Sequence, residues 1–250
     1  SIEAAASVKG VPYHPGAAKY FEEKGFKVDA VKEGAGNGTA SALSFGTGGE
    51  SGTYYAFGGV LASFVSGKSN CKVTALTSGG SQANVEDLTN GNVQLAFVQS
   101  DVMNYAYNGQ RLFDSPVTGF SVVAQLYQEQ VQIVTTNPDI KTVADLAGKK
   151  VSIGAAGSGV YFNAIDVLSA YDLKESDISA VYQSFGDSAE SLKDGKIDAA
   201  FIVAGAPTTA ITDLATAGSV YLVSLDDSHV QSLLSASPYY TAATIKAGTY

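Results

Sequence analysis

Short apolar runs alternate with helix-period stretches along most of this chain. Strand-like runs rich in β-branched and aromatic residues fall at 43–45, 72–76, 94–98, 120–126 and 130–135, and again at 150–153, 180–183, 197–203 and 220–223. Between them, 54–65, 81–89, 159–171 and 188–194 place apolar residues at helical spacing. Gly91 and Gly195 stand where helices would stop. Strand and helix in regular alternation predict an α/β fold with parallel sheets.

The pattern restarts at Asn137–Pro138, which reads as a crossing segment, and the chain is expected to cross back near 217–219. Two crossings predict a two-lobe, hinged body with a ligand cleft between the lobes. The expected division is 43–136 for the first lobe, 137–218 for the second and 219–250 for the return to the first. Residues 34–42, GAGNGTASA, have the composition of a flexible linker. Residues 1–33 precede it and are expected to complete the first lobe.

Composition narrows the partners. The chain has 250 residues, 45% hydrophobic and 16% charged, which suits an ordinary globular protein with ample core. A formal net charge of −9 argues against nucleic acid and against an anionic membrane surface. The single Cys71 allows no internal disulfide and no metal-ligand spacing, and no cofactor motif stands out. No apolar run approaches the ~20 residues of a membrane helix, and no signal-like segment opens the chain. Neither observation fixes a compartment.

Candidate chemistry gathers at glycine-rich turns between a strand and a helix. In 46–52, GTGGESG, Thr47, Gly48 and Ser51 lie beside the free N–H groups of a helix start that carries Tyr54. Such a turn accepts an anion, and an ordinary strand-to-helix turn explains the pattern equally well. In 77–84, TSGGSQAN, Ser78, Ser81 and Asn84 repeat the arrangement, although a serine there more often caps its own helix. Gln99, Ser100 and Asp101 end a third run on the same sheet edge, where Ser100 or Asp101 as a simple cap carries half the weight. In the second lobe 155–160, AAGSGV, offers Gly157, Ser158, Gly159 and Val160, followed by Tyr161 and Asn163. Tyr127 suits an aromatic wall or the core alike, and Gly205 ends a strand before Pro207. The segment 62–69, ASFVSGKS, matches a relaxed phosphate-loop pattern, but a helix precedes it and a strand follows, the reverse of what phosphate binding needs. His14 and His229 stand alone, and no nucleophile elbow or paired-carboxylate spacing occurs. Arg111 is the one arginine and follows a helix in a polar loop, so a carboxylate ligand is expected to rest on backbone N–H and hydroxyl donors.

Five segments taken together resemble the TAXI family, solute receptors of one class of TRAP transporter. They are LSFGTGGESGTYYAFGGVLASFV at 43–65, TSGGSQANVEDLTNGNVQLAFVQSD at 77–101, VVAQLYQEQVQIV at 122–134, VADLAGKKVSIGAAGSGVYFNA at 143–164 and LKDGKIDAAFIVAGAP at 192–207. Their order follows the family from residue 43 onward. The segment 10–25, GVPYHPGAAKYFEEKG, resembles the family's closing signature yet comes first here, and a further strand and helix usual after TIKAGTY are missing. The order therefore reads as a circular permutation, with that piece expected as a complementing segment or chain near the termini. Val160 departs from the polar residue usual at its position.

The resemblance implies a periplasmic-binding-protein architecture and a non-enzymatic receptor outside the cytoplasm. It further implies a small anionic ligand, glutamate- or glutamine-like or a dicarboxylate, and delivery to the membrane component of a sodium-coupled TRAP transporter. A permuted order also fits a re-engineered binding scaffold or sensor. A small-molecule enzyme on a two-lobe α/β fold is the rival of another class.

Overall fold

The computed structural model describes residues 1–32 and 40–250; most of the expected linker, 34–42, lies outside the described residues. A short helix α1 (Ile2–Ala5) and α2 (Pro15–Glu23) open the chain. His14 caps α2 by accepting the Gly16 N–H at 3.1 Å, and Pro15 supplies a helical φ at the first position. Then come β1 (Ala42–Gly46), α3 (Thr53–Lys68), β2 (Lys72–Leu76), α4 (Ser81–Thr89), β3 (Leu95–Ala96) and α5 (Ser100–Asn108). These strands form a parallel sheet in the order β2-β1-β3.

The second sheet holds β4 (Gln130–Thr135), β5 (Lys150–Ser152), β6 (Ser179–Val181), β7 (Ala199–Ala204) and β8 (Tyr221–Leu222), in the order β6-β5-β7-β4-β8. Helices α6 (Val160–Ala170), α7 (Phe185–Lys193), α8 (Thr209–Ala217) and α9 (Asp227–Ala236) accompany it. β7 is buried along its whole length, as an apolar run covered on both faces must be. Ile133, Phe201 and Val203 pack on one side of the sheet, Val134, Ala200 and Ile202 on the other.

Four expectations need correction. β4 runs antiparallel to β7 and β8, so the second sheet is mixed rather than parallel. Because β4 belongs to that sheet, the crossing from the first lobe lies before Gln130, not at Asn137–Pro138. β8 also stays with the second sheet, and Leu233 of α9 packs on its core, so the return does not begin at 219. Residues 120–126 form no strand; their one ladder contact is a bridge from Val122 to Tyr13. The run is apolar, but with a single point of pairing it stays extended without becoming a sheet member.

Residues 1–32 lie on the first lobe. Tyr13 is buried among Val11, Phe21, Met103 and Val122. Its backbone bonds Asp29, and its neighbours His14 and Pro12 exchange hydrogen bonds with Val122. The Tyr13 hydroxyl donates to the Ala5 carbonyl at 3.1 Å and accepts the Val8 N–H at 2.9 Å. Tyr13→Phe should cost about 1 kcal/mol, because two half-buried backbone groups lose a partner. Tyr13→Ala should cost roughly 3–5 kcal/mol by leaving a cavity as well. Urea unfolding checks both, and equal losses would show that the hydroxyl contributes nothing.

Candidate functional site

Helix starts from both lobes converge on one polar chain. Tyr54 stands in the first turn of α3, Ser81 opens α4, Gln99 and Asp101 flank the start of α5, and Asn163 lies in the first turn of α6. The Tyr54 hydroxyl donates to Glu129 Oε2 at 3.1 Å and lies 3.3 Å from Ser81 Oγ. Ser81 Oγ accepts the Gln99 N–H at 3.0 Å. Gln99 Nε2 donates to Asn163 Oδ1 at 2.7 Å, and Asn163 Nδ2 donates to Asp101 Oδ2 at 2.9 Å and to Tyr240 Oη at 2.8 Å. Tyr240 donates onward to Asp166 Oδ2 at 2.8 Å. The chain thus runs from the crossing segment through the first lobe into α6.

A cavity of about 1400 Å³ opens beside this chain, and Tyr54, Gln99, Asp101, Tyr127, Glu129 and Asn163 contribute to its wall. No lysine or arginine lines it among the described residues. Glu129 keeps some surface toward the cavity, but protein closes around the carboxylate. Burial first, and then the charge of Asp101, push its pKa up to about 8 despite the Tyr54 hydrogen bond. Burial likewise raises Asp101, which is 4% exposed. Tyr54 is held well above its usual pKa by burial and by the neighbouring Glu129. The hydroxyl of Tyr127 and Oε1 of Gln130 are buried with no hydrogen-bond partner among the described residues.

The glycine turns take a different role from the expected open anion cradle. Thr47 Oγ1 donates to the Leu76 carbonyl, and the Thr47 carbonyl accepts from Ser78 Oγ and Asn84 Nδ2, so these three side chains tie the first lobe's own strand ends together. The Gly157 carbonyl accepts the Ala83 N–H at 3.0 Å across the cleft, from a φ of +77° that favours glycine. Ser158 Oγ accepts the Val160 N–H, and Val160 itself is buried. A Cβ on Gly159 would collide with the Gln99 side chain, and one on Gly48 would touch Tyr54. Ser51 lies against Gly186, and the Gly205 N–H reaches Thr53 Oγ1 at 3.1 Å. Tyr161 points elsewhere, donating to Glu175 Oε2 at 2.9 Å. Ser100 lines the cavity, and its carbonyl accepts Asn104 Nδ2. Of the expected site residues, Tyr54, Gln99, Ser100, Tyr127 and Asn163 line the cavity, Gly157, Gly159, Ser51 and Gly205 meet the opposite lobe, and Thr47, Ser78, Ser81, Asn84 and Ser158 bond within their own lobe.

Arg111 does not line the cavity. Its guanidinium pairs with Asp166 of α6 at 2.6 Å and lies over the rings of Tyr105 and Phe162. Phe162 is fully buried among Val85, Val102, Tyr105 and Phe113, so α6 is inserted into the first lobe's helices. Glu129 and Tyr240 escaped the sequence reading. Glu129 sits in LYQEQV, where a lone carboxylate beside an alternating strand looks solvated, and the only clue was the run of uncharged polar and aromatic neighbours.

The model of the NMT1-like family matches residues 45–250. The chain belongs to the NMT1-like family. Solved structures agree on the fold. The alkanesulfonate-binding protein SsuA from Xanthomonas axonopodis pv. citri, bound to MOPS, is 19% identical over 75% of this chain and 61% of its own, with a TM-score of 0.52. A protein from Bordetella bronchiseptica RB50 is 18% identical over 74% of this chain and 56% of its own, at 0.54. The binding component of an ABC phosphonate transporter from Pseudomonas aeruginosa is 11% identical over 79% and 74%, at 0.51. This NMT1-like chain therefore has the two-lobe periplasmic-binding-protein fold, and it spans about three-fifths of the length of the first two.

Two measurements probe the site. A Cβ on Gly79 would come 2.6 Å from the Ala156 carbonyl oxygen of the opposite lobe. Gly79→Val should hold the lobes apart, increasing the radius of gyration in solution scattering and exposing the Ala83 amide to exchange; unchanged scattering would show that the turns slide past the new side chain. Glu129 binds its proton more tightly folded than unfolded, so the folded state holds more protons between pH about 4.5 and 8. Stability without ligand should fall as pH rises through that window, and Glu129→Gln should flatten the fall. Thermal melts from pH 5 to 8 read it directly.

Proposed function

We propose that this protein is an extracytoplasmic solute-binding receptor that closes its two lobes over a small amino-acid-like ligand. The observation that carries the reading is the cavity walled by Tyr54, Gln99, Glu129 and Asn163, built from helix starts of both lobes and the segment that joins them. Residues so placed feel lobe closure directly, as a binding protein requires. The family assignment and the shared fold support the same reading.

Within that family, the five ordered segments favour the TAXI type, with glutamate- or glutamine-like solutes and a TRAP membrane component as the partner. The glycine-rich turns are retained as ligand contacts in a more open arrangement, where Ala83 and the α3 and α6 starts would recover free N–H donors. The circular permutation also stands as a proposal. It is supported by the family match starting at residue 45 and by residues 1–32 packing on the first lobe around Tyr13. A complementing segment would then seat beside β3, which has β1 on one side alone.

The enzyme reading has one point in its favour, a perturbed carboxylate in the cavity. Glu129 contacts tyrosines rather than a nucleophile or a base, and the Nδ1 of His14, also on the cavity wall, is occupied by the Gly16 N–H. A receptor binds and releases its ligand unchanged. L-glutamate or L-glutamine at about a thousand times its dissociation constant should add roughly 4 kcal/mol of stability, read as a rise in Tm. Recovery of a chemically altered solute after long incubation would overturn the reading.

A further inference from the structure

The cavity wall is unbalanced in charge and in hydrogen bonding. Its ionisable acids are Asp101 and Glu129, and its one basic side chain among the described residues, His14, is engaged at Nδ1 by the Gly16 N–H. Asp101 has partners on both oxygens, from Asn163 at 2.9 Å and from Gln99 at 3.4 Å. Glu129 accepts one hydrogen bond, from Tyr54 to Oε2. Oε1 of Glu129 receives none among the described residues, yet it is not among the sealed unpartnered atoms, so it remains open to the cavity. On the same stretch of chain the Tyr127 hydroxyl and Gln130 Oε1 are sealed from solvent and meet no partner at ordinary hydrogen-bond distance among the described residues, although Tyr127 lies close enough to Glu129 to favour its charge. Both residues contribute to the same wall.

Glu129 Oε1 and Gln130 Oε1 are acceptors without a donor among the described residues, whereas the Tyr127 hydroxyl can itself donate. A buried acceptor left unmade costs free energy, and a carboxylate closed in by protein costs more. An added anion would aggravate both. A primary ammonium has three donors, no acceptor and a positive charge, and it would remedy both.

We propose that Glu129, whose Oε1 faces the cavity without a donor, is the seat for an ammonium group, so that the receptor selects amine-bearing solutes and rejects their des-amino analogues. The inference rests on the solute-receptor reading and deepens it. Plain dicarboxylates drop out of the ligand class, while amino acids remain. Asp101 adds negative potential behind the seat through the Gln99–Asn163 link. Recognition of any ligand carboxylate falls to the glycine turns, away from Glu129.

Proton bookkeeping supplies a signature that a merely structural glutamate would not give. Glu129 faces Tyr54, Tyr127 and Asp101; burial and the Asp101 charge oppose its ionisation and outweigh the hydrogen bonding of the two tyrosines that favours it. It carries its proton near neutrality and must lose it to pair with an ammonium. Amine binding at pH 7 should therefore release close to one proton.

The test uses the full chain, unfolded and refolded to remove carried ligand, and two matched pairs: L-glutamate with glutarate, and L-glutamine with glutaramate. Calorimetry in two buffers of different ionisation enthalpy reads affinity and proton release together. The expected result is binding of at least one amine at least 100-fold tighter than its analogue, with about one proton released. Glu129→Gln, which retains an acceptor for Tyr54, should remove both the preference and the release while keeping a cooperative melt. An analogue binding as well as its amine, or an unchanged preference in Glu129→Gln, would overturn the inference and leave the receptor reading intact. Failure of every pair to bind would overturn the receptor reading and this inference with it.

Discussion

The insertion of α6 into the first lobe is the contact on which the arrangement of the cleft depends. Phe162 is buried among side chains of α4 and α5, and one residue further on Asn163 joins Gln99 to Asp101. An apolar anchor and a polar link from adjacent residues fix both the depth and the rotation of the helix. The anchor is general, since hydrophobic contact has no direction. The link is specific, because each atom of the Asn163 amide is matched and a one-residue shift would leave several buried groups unpaired. Arg111 reinforces the same helix from the rim through Asp166, in a half-exposed pair of modest value.

That arrangement explains why the glycine turns face one another. With α6 seated, the 155–160 turn reaches the 77–84 turn closely enough for the Ala83 N–H to use the Gly157 carbonyl. At Gly79 any side chain would meet the Ala156 carbonyl. The Ala83 donor at the start of α4 is thus shared between the lobes. A helix start that faces the opposite lobe has to satisfy its donors within the protein, and backbone carbonyls on a glycine turn are the partners nearest to hand.

Much of the fold could be read from the chain, and the losses have definite causes. β2, β4 and α4 have the same ends in sequence pattern and structure, because the apolar period is bounded by turn residues there, Asn137–Pro138 after β4 and Gly79, Gly80 and Gly91 about β2 and α4. Strand period carries no information about sheet membership, which is why β4 was expected in the first lobe. An apolar run such as 120–126 needs hydrogen-bonding neighbours as well as period, and it finds one bridge. Tyr54, Gln99 and Asn163 were expected from turns after strand ends and Tyr127 from its place near the lobe junction, and all four line the cavity. Glu129 was not expected, since its burial comes from Tyr54 and Tyr127, distant or unremarkable in sequence.

The missed residue changes the electrostatic character of the cleft. Glycine turns and helix starts suggest a site that welcomes anions, and a net charge of −9 does nothing to correct that impression. The cavity instead carries its strongest fixed demand at an acid. Helix-start partial charges of about half a unit act at the turns, whereas a carboxylate brings a full charge once ionised. A ligand with both signs would meet each demand with a different end, its carboxylate toward the turns and its amine toward Glu129. Closure of the lobes would then be coupled to orientation: a solute reversed end for end would leave the acid unpaired and set its own carboxylate beside Asp101 and Glu129, which the low-dielectric wall penalises more heavily than open water would.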